Sequence, residues 1–300
     1  MARWLSWTLA TIVAWGIWAI LSKLLADEVQ SPAQAQVLST IGILPVVMAL
    51  WVMNDAPSAG CGRLGILLAL GSGIVSCLGN IAYFDLFSRG GKAAAVIPIT
   101  ALSPAVTILL AIPLLKERLN RWQAIGIGLS LGAIYLFNVP SVEGTFSAWL
   151  LFALIPIVLW GVCGLMQKLS TNYISARTSA IWFLLSFVPV AALILIYDPL
   201  RSDISARTWL LAAAVGFTLA LGNLTILLAF SSGGKASIIA PLAGLYPLVS
   251  IPIAIVALGE TIGWRESLGI GCALVAVVML STQSEPQTAQ APTLETESCR

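Results

Sequence analysis

Long apolar runs separated by short polar punctuation organise this chain. Ten runs stand out, at about 4–25, 33–53, 64–88, 93–115, 122–139, 147–167, 178–197, 208–230, 236–258 and 264–281. A helix needs about 20 mostly apolar residues to cross a bilayer core, so each run is expected to be one membrane-spanning helix. The breaks between them are polar, as in Asp27-Glu28-Val29-Gln30-Ser31-Pro32, Lys116-Glu117-Arg118-Leu119-Asn120-Arg121 and Asp198-Pro199-Leu200-Arg201-Ser202-Asp203. The first run follows Arg3 and has the start of a secretory leader. It is long enough to span, and no small-x-small cleavage site closes it, so it is expected to be the first transmembrane helix. From Thr282 to Arg300 the chain turns polar and rich in Pro, Thr and Gln. That stretch has too little apolar surface to fold and is expected to be a disordered tail, 282–300.

The second half of the pattern repeats the first. At a shift of 143, Ser88-Arg89-Gly90-Gly91-Lys92-Ala93 matches Ser231-Ser232-Gly233-Gly234-Lys235-Ala236. The same shift pairs Gly79-Asn80 with Gly222-Asn223, Pro98 with Pro241, Pro104 with Pro247, Glu117 with Glu260, and Gly126-Ile127-Gly128 with Gly269-Ile270-Gly271. A shift of 145 pairs Trp15-Gly16 and Lys23 with Trp160-Gly161 and Lys168. The expected domains are therefore repeats at 1–140 and 141–281. Five spans per repeat is an odd number, so the second repeat enters the membrane upside down. An inverted repeat in a membrane chain is the pattern of secondary transporters, whose solute site lies between the halves near the bilayer midplane. With the amino end inside, nine of the fifteen Lys and Arg residues fall on the inner side. This bias places both termini in the cytoplasm.

Composition agrees with the pattern. The chain is 59% hydrophobic and 9% charged, with mean hydropathy +0.96, against about 25% charged for a soluble domain. A net charge of +2 without a clustered basic face gives no footprint for nucleic acid. Five cysteines is an odd number, and no Cys-x-x-Cys occurs. Cys77, Cys163 and Cys272 lie in apolar runs, Cys61 in a short loop and Cys299 in the tail, and they read as free structural thiols. Histidine is absent, which removes the commonest metal ligand and general base. No metal or cofactor is expected. An intramembrane enzyme would need paired carboxylates or a Ser/His pair; Asp85 stands alone in its span, and an enzyme is not expected.

The segments from Gly90 through Pro98, Pro104, Glu117 and Gly126, and again from Gly233 through Pro241, Pro247, Glu260 and Gly269, resemble the EamA family of the drug/metabolite transporter superfamily. The resemblance covers residues 1 to 281. It implies an all-α integral membrane fold of ten transmembrane helices in two inverted five-helix repeats. It implies export or uptake of small metabolites, with a cavity drawn from spans 1, 3, 4, 6, 8 and 9, and no particular substrate.

Intramembrane polar residues are costly and so become site candidates. Lys23 and Lys168 have two readings: snorkelling to the interface, or lining a vestibule that attracts an anionic or carboxylate-bearing solute. Asn80 and Asn223 sit at matched depths and can bind solute or bond across helices. Tyr83 shares a helix face with Asn80, and Gln167 is a weaker cavity candidate. Asp85 precedes Arg89 by four residues, the spacing of a helical ion pair; the alternative is a proton-coupling carboxylate. Pro98, Pro104, Pro241 and Pro247 each remove a helical hydrogen bond and should bend spans 4 and 9 into gating or cavity-lining elements. Thr100, Ser103, Thr107, Tyr246 and Ser250 add hydroxyls there. Glu117 and Glu260 end those spans and read as structural latches. Trp15, Trp18 and Trp160 read as core packing or as a cavity wall. Gly126, Gly128, Gly132, Gly269 and Gly271 suit helix packing or a homodimer face.

Together these features predict a secondary active transporter of small metabolites, such as amino acids or related amphipathic solutes, working by alternating access. Its expected partners are a small-molecule solute and the lipid bilayer, and its place the plasma or inner membrane. The alternative is a membrane scaffold or receptor that moves no solute.

Overall fold

The computed structural model describes residues 3–29, 31–52, 62–115, 120–137, 148–201, 203–232 and 236–280. Glu117, the Gly233-Gly234-Lys235 loop, Cys61, Cys299 and the expected tail lie outside the described residues. Thirteen helices occupy them: α1 (Arg3–Glu28), α2 (Pro32–Val52), α3 (Gly62–Ser88), α4 (Ala93–Thr100), α5 (Ser103–Leu115), α6 (Arg121–Phe137), α7 (Ala148–Ser170), α8 (Ala176–Leu185), α9 (Phe187–Tyr197), α10 (Ala206–Ser231), α11 (Ala236–Ala243), α12 (Pro247–Leu258) and α13 (Trp264–Leu280). Among the described residues, eight segments are long and apolar enough to cross a membrane. They match eight of the ten expected runs. The other two runs are α6 and α13, 17 residues each, and these two pack against each other. Met48, Trp51, Leu67, Leu131, Ile196 and Val256 face outward, as the lipid side of a membrane bundle requires.

Three runs are broken, each near a proline. The fourth divides into α4 and α5 at Ala101-Leu102, between Pro98 and Pro104. Pro104 has no N–H to offer the carbonyl of Thr100, so that turn loses its closing hydrogen bond. The chain tightens instead: Leu102 N–H bonds the Ile99 carbonyl at 3.2 Å and Ala105 N–H the Leu102 carbonyl at 3.0 Å. The ninth run repeats the device, dividing into α11 and α12 between Pro241 and Pro247, with Leu245 N–H on the Leu242 carbonyl at 3.0 Å. The expected bends are thus full interruptions. A third interruption, between α8 and α9 at Ser186, lies just before Pro189 and was not expected from the sequence.

Packing exchanges equivalent partners between the halves. α1 packs on α10, and α3 on α7. Gly222 of α10 lies against Trp15 of α1, and its equivalent Gly79 of α3 lies against Trp160 of α7. Gly16 meets Val249 of α12, and Gly161 meets Val106 of α5. Each of these pairs is the other with the two repeats interchanged. Both helix pairs are antiparallel. Glu28 at the end of α1 takes Arg207 Nε at 3.0 Å and Thr208 Oγ1 at 2.6 Å from the start of α10. Ser170 at the end of α7 donates to the Gly65 carbonyl at the start of α3 at 2.9 Å.

The bundle therefore has two distinguishable ends. One gathers Lys23, Asp27, Arg89 and the start of α4; the other gathers Gly65, Ser170 and the end of α10. At the first end, Ser31 Oγ and Gln34 Nε2 each donate to Asp198 at 2.7 Å. The hydrogen bonds from Ser31 and then Gln34, with Arg201 nearby, hold the Asp198 carboxyl below its usual range.

Candidate functional site

A cavity of about 100 Å³ opens between the two halves. α1 contributes Trp15 and Trp18, α3 Ser76 and Asn80, α5 Ser103, Pro104 and Thr107, α7 Trp160, Cys163, Gly164 and Gln167, and α10 Leu219, Asn223, Ile226 and Phe230. Ala240 of α11 and Tyr246, at the break before α12, complete the lining. The helix breaks place their own residues here. Interrupting α4–α5 turns Ser103 and Thr107 inward, and interrupting α11–α12 does the same for Tyr246.

The lining among the described residues mixes aromatic, aliphatic and polar groups, without a charged side chain. Trp18 and Trp160 meet edge to face at 5.7 Å between ring centroids, and Tyr246 meets Trp15 in the same way at 6.3 Å. Tyr246 Oη donates to the Ile97 carbonyl at 3.4 Å and lies 3.5 Å from Thr100 Oγ1. It thus ties the break of the ninth run to α4. Thr107 Oγ1 donates to the Gly161 carbonyl at 2.8 Å, joining α5 to α7.

The matched asparagines have unlike surroundings. Asn223 Oδ1 accepts from Gln167 Nε2 at 3.1 Å, and its Nδ2 donates to the Leu219 carbonyl at 2.9 Å. Its amide is spent on holding α10 to α7. Asn80 is 2% exposed and lines the cavity, and among the described residues no protein group bonds its amide.

Of the residues singled out from sequence, the cavity gathers Asn80, Asn223, Tyr246 and Pro104, together with Gln167 and the three tryptophans. Tyr83 is fully buried one turn beyond Asn80 and stacks on Trp18 at 5.1 Å. It backs the cavity wall without lining it. Pro98, Pro241 and Pro247 are buried at the breaks. Lys23 is spent on Asp27, one turn further along α1, and lies over the Phe87 ring at 5.7 Å. Lys168 follows Gln167 but does not line the cavity. Asp85 pairs with Arg89 at 2.6 Å, and Arg89 in turn covers the Phe152 ring at 3.8 Å.

Of the lining residues, sequence reasoning missed Ser76, Gly164, Leu219, Ile226, Phe230 and Ala240. Ser76 lies four residues before Asn80 in α3, so the helical period could have found it. Phe230 is the repeat equivalent of Phe87, and nothing in the pattern distinguishes the two. Among the described residues no cluster of His, Cys, Asp or Glu could hold a metal ion.

Glu260 closes the first end. Its Oε1 accepts from Ala93 N–H and its Oε2 from Ala94 N–H, both at 2.8 Å. These are the first two amides of α4, which lack intrahelical partners. The carboxylate also faces the positive end of that helix. Lys92 Nζ donates to the Thr261 carbonyl at 3.2 Å beside it.

The cavity is deeper towards one end. Along α10 its lining runs from Leu219 to Phe230, about 16 Å of helix. Along α3 it stops at Asn80. Beyond that point Tyr83 and Phe87 are buried, as is Ser22 on α1. Their repeat equivalents Ile226, Phe230 and Gln167 all line the cavity. Trp18 Nε1, Ser22 Oγ and Tyr83 Oη are buried at this closed side without a hydrogen-bond partner among the described residues.

Comparison with known proteins points to one family. The model of the EamA-like transporter family matches residues 2–139 and 147–282. An uncharacterized protein of Methanocaldococcus jannaschii is 36% identical over 74 residues, which is 24% of this chain and 53% of the relative. The chain thus spans about half the length of that relative. A solved crystal structure superposes with a TM-score of 0.65 at 17% identity, covering 92% of this chain and 97% of the other. At that identity the likeness shows the fold alone.

Proposed function

The chain belongs to the EamA-like transporter family, and we propose that it is a secondary active carrier of small uncharged or amphipathic metabolites. It crosses the membrane ten times, with α6 and α13 as the fifth and tenth spans and the second repeat inverted. Antiparallel packing of α1 on α10 and of α3 on α7 supports the inversion. It leaves α7 running against its equivalent α1. The solute binds in the central cavity against Asn80, Tyr246 and the indoles of Trp15, Trp18 and Trp160.

The observation that carries the reading is the unequal depth of a cavity built from equivalent residues. In the other state of the cycle, Ser22, Tyr83 and Phe87 line the path while Gln167, Ile226 and Phe230 pack together. A buried polar atom left unpaired costs about 1–3 kcal/mol. The unpartnered atoms of Trp18, Ser22 and Tyr83 are satisfied in that second state, which keeps the two states close in energy. The breaks around Ala101 and Gly244 absorb the movement, and Glu260 latches the first end. The Lys/Arg bias puts that end outside, so this state is open to the cytoplasm.

Neither matched lysine lines the cavity, so we read Lys23 and Lys168 as interfacial anchors and Asp85 as the partner of Arg89. The chain works in the plasma or inner membrane. Solute flux into proteoliposomes is the test, with labelled amino acids, nucleobases and sugars, with and without a pH gradient. Saturable counterflow of any of these, lost in Tyr246→Ala, establishes a carrier. Failure of the whole panel leaves the scaffold reading ahead.

A further inference from the structure

We propose that Asn80 is the polar anchor of the solute, and that the solute is an uncharged planar ring bearing a hydrogen-bond donor beside an acceptor, such as a nucleobase or an aromatic carboxamide. This rests on the carrier reading and names its substrate class. Three observations lead to it.

The first is the division of labour between the matched asparagines. The Asn223 amide is committed to Gln167 and the Leu219 carbonyl. Asn80 lines the same cavity with its amide unbonded by any described residue, though 98% of the residue is buried. Its amide thus faces the cavity, where a solute can pair it. Asn80 offers one acceptor and a donor pair side by side. That is the edge by which an asparagine reads both a donor and an acceptor on adenine.

The second is the wall around it. Gly79 sits directly against the Trp160 indole, so that ring adjoins Asn80. Trp18 and Trp160 meet at 65°, with Tyr83 stacked behind Trp18. An indole wall favours flat guests, because every aromatic ring has a face to stack.

The third is charge. No described lining residue carries a charge. Charged groups towards the closed end are already engaged, Lys23 with Asp27, Asp85 with Arg89, and Glu260 with the start of α4. A charged solute would give up its hydration with no counter-charge in return. A neutral ring loses little.

The test is a charge series on one ring, measured as equilibrium binding to the full-length protein in nanodiscs. The probes are nicotinamide, its anion analogue nicotinate and the N-methylnicotinamide cation, with adenine and zwitterionic tryptophan alongside. Nicotinamide or adenine should bind saturably, with the two charged analogues weaker by roughly a hundredfold. Asn80→Leu should weaken the neutral probe roughly tenfold. Asn80→Asp, which keeps the side-chain shape, should turn the preference towards the N-methylnicotinamide cation, a change that a merely structural asparagine would not produce.

The proposal is overturned if the charged analogues bind as well as the neutral ones, if tryptophan alone binds, or if no probe binds at millimolar concentration. Counterflow of tryptophan in proteoliposomes without binding of a neutral ring would sink the substrate class and leave the carrier standing. Absence of all flux would count against the carrier reading itself.

Discussion

Ala101 and Gly244 are equivalent positions of the two repeats, and they touch. A Cβ built on Gly244 would stand 3.3 Å from the Ala101 carbonyl oxygen. Only residues on the axis relating two halves can meet their own equivalents, so this contact marks where the interrupted helices cross. Enlarging Gly244 should therefore act on both breaks at once. Gly244→Val is expected to lower stability by about 1–3 kcal/mol through overpacking and to slow flux further than that loss explains. Thermal unfolding in detergent beside counterflow rates checks this; unchanged flux at reduced stability would deny the crossing a role in movement.

Glu260→Ala removes the carboxylate that accepts from the first two amides of α4, which have no other acceptor among the described residues. Two buried donors are then left without a partner, a loss of about 1–3 kcal/mol for each. The same change should open the first end. A cysteine at Ser22 is expected to react faster with an impermeant maleimide when Glu260 is Ala, with labelling read at that site by mass spectrometry.

The uneven cavity makes a prediction about access. Gln167→Cys should be labelled rapidly from the cytoplasmic face. Ser22→Cys should react slowly from either face in the resting protein. A solute gradient that drives turnover should raise Ser22 labelling from outside and lower that of Gln167. Labelling of both from one face would exclude exchange between two states.

Asp85 and Arg89 form a partly exposed pair one turn apart. Such pairs contribute about 0.3–0.5 kcal/mol. Asp85→Asn is expected to leave pH-driven flux intact. Loss of the pH dependence with flux retained would make Asp85 the coupling group after all.

The carboxyl of Asp198 titrates lower in the folded protein than in the unfolded chain, first through Ser31 and then Gln34. The stability it confers is complete above the unfolded value, about pH 4, and is lost as pH falls through the lower folded value. Asp198→Asn should abolish that acid-side slope. A melting curve against pH, compared between the two proteins, reads it directly.

Much of this was legible from the chain. Pro98, Pro104, Pro241 and Pro247 at one spacing in both halves announced paired bends, because each removes a helical hydrogen bond; that these become full interruptions, while α2, α7 and α12 run on through Pro45, Pro156 and Pro252, is set by the surroundings. Asp85 with Arg89 was legible for the same local reason. Lys23 with Asp27 has identical spacing, and neither reading of Lys23, interfacial snorkelling or a vestibule role, included that pair. What could not be read was anything set by contacts across the repeats. Glu260 finds its amides 167 residues away, and Asn223 finds Gln167 56 residues away. Sequence made Asn80 and Asn223 equals; only the meeting of α7 with α10 spends one and leaves the other free. Pro189 has a counterpart in Pro45, 144 residues earlier, yet α2 runs unbroken through Pro45, and the interruption at Ser186 went unforeseen.

The glycines between α2, α3, α8 and α10 have a consequence for how this protein can vary. A Cβ on Gly216 would lie 1.9 Å from the Ser39 carbonyl oxygen, and one on its equivalent Gly73 2.2 Å from that of Phe183. There backbone meets backbone, and no side chain can yield to make room. The cavity lining is different, since Ile226 and Phe230 border the cavity. A library of single substitutions should find the frame unforgiving and the lining permissive. Cargo preference can then drift by exchange of a few lining residues while the scaffold that moves them stays as it is.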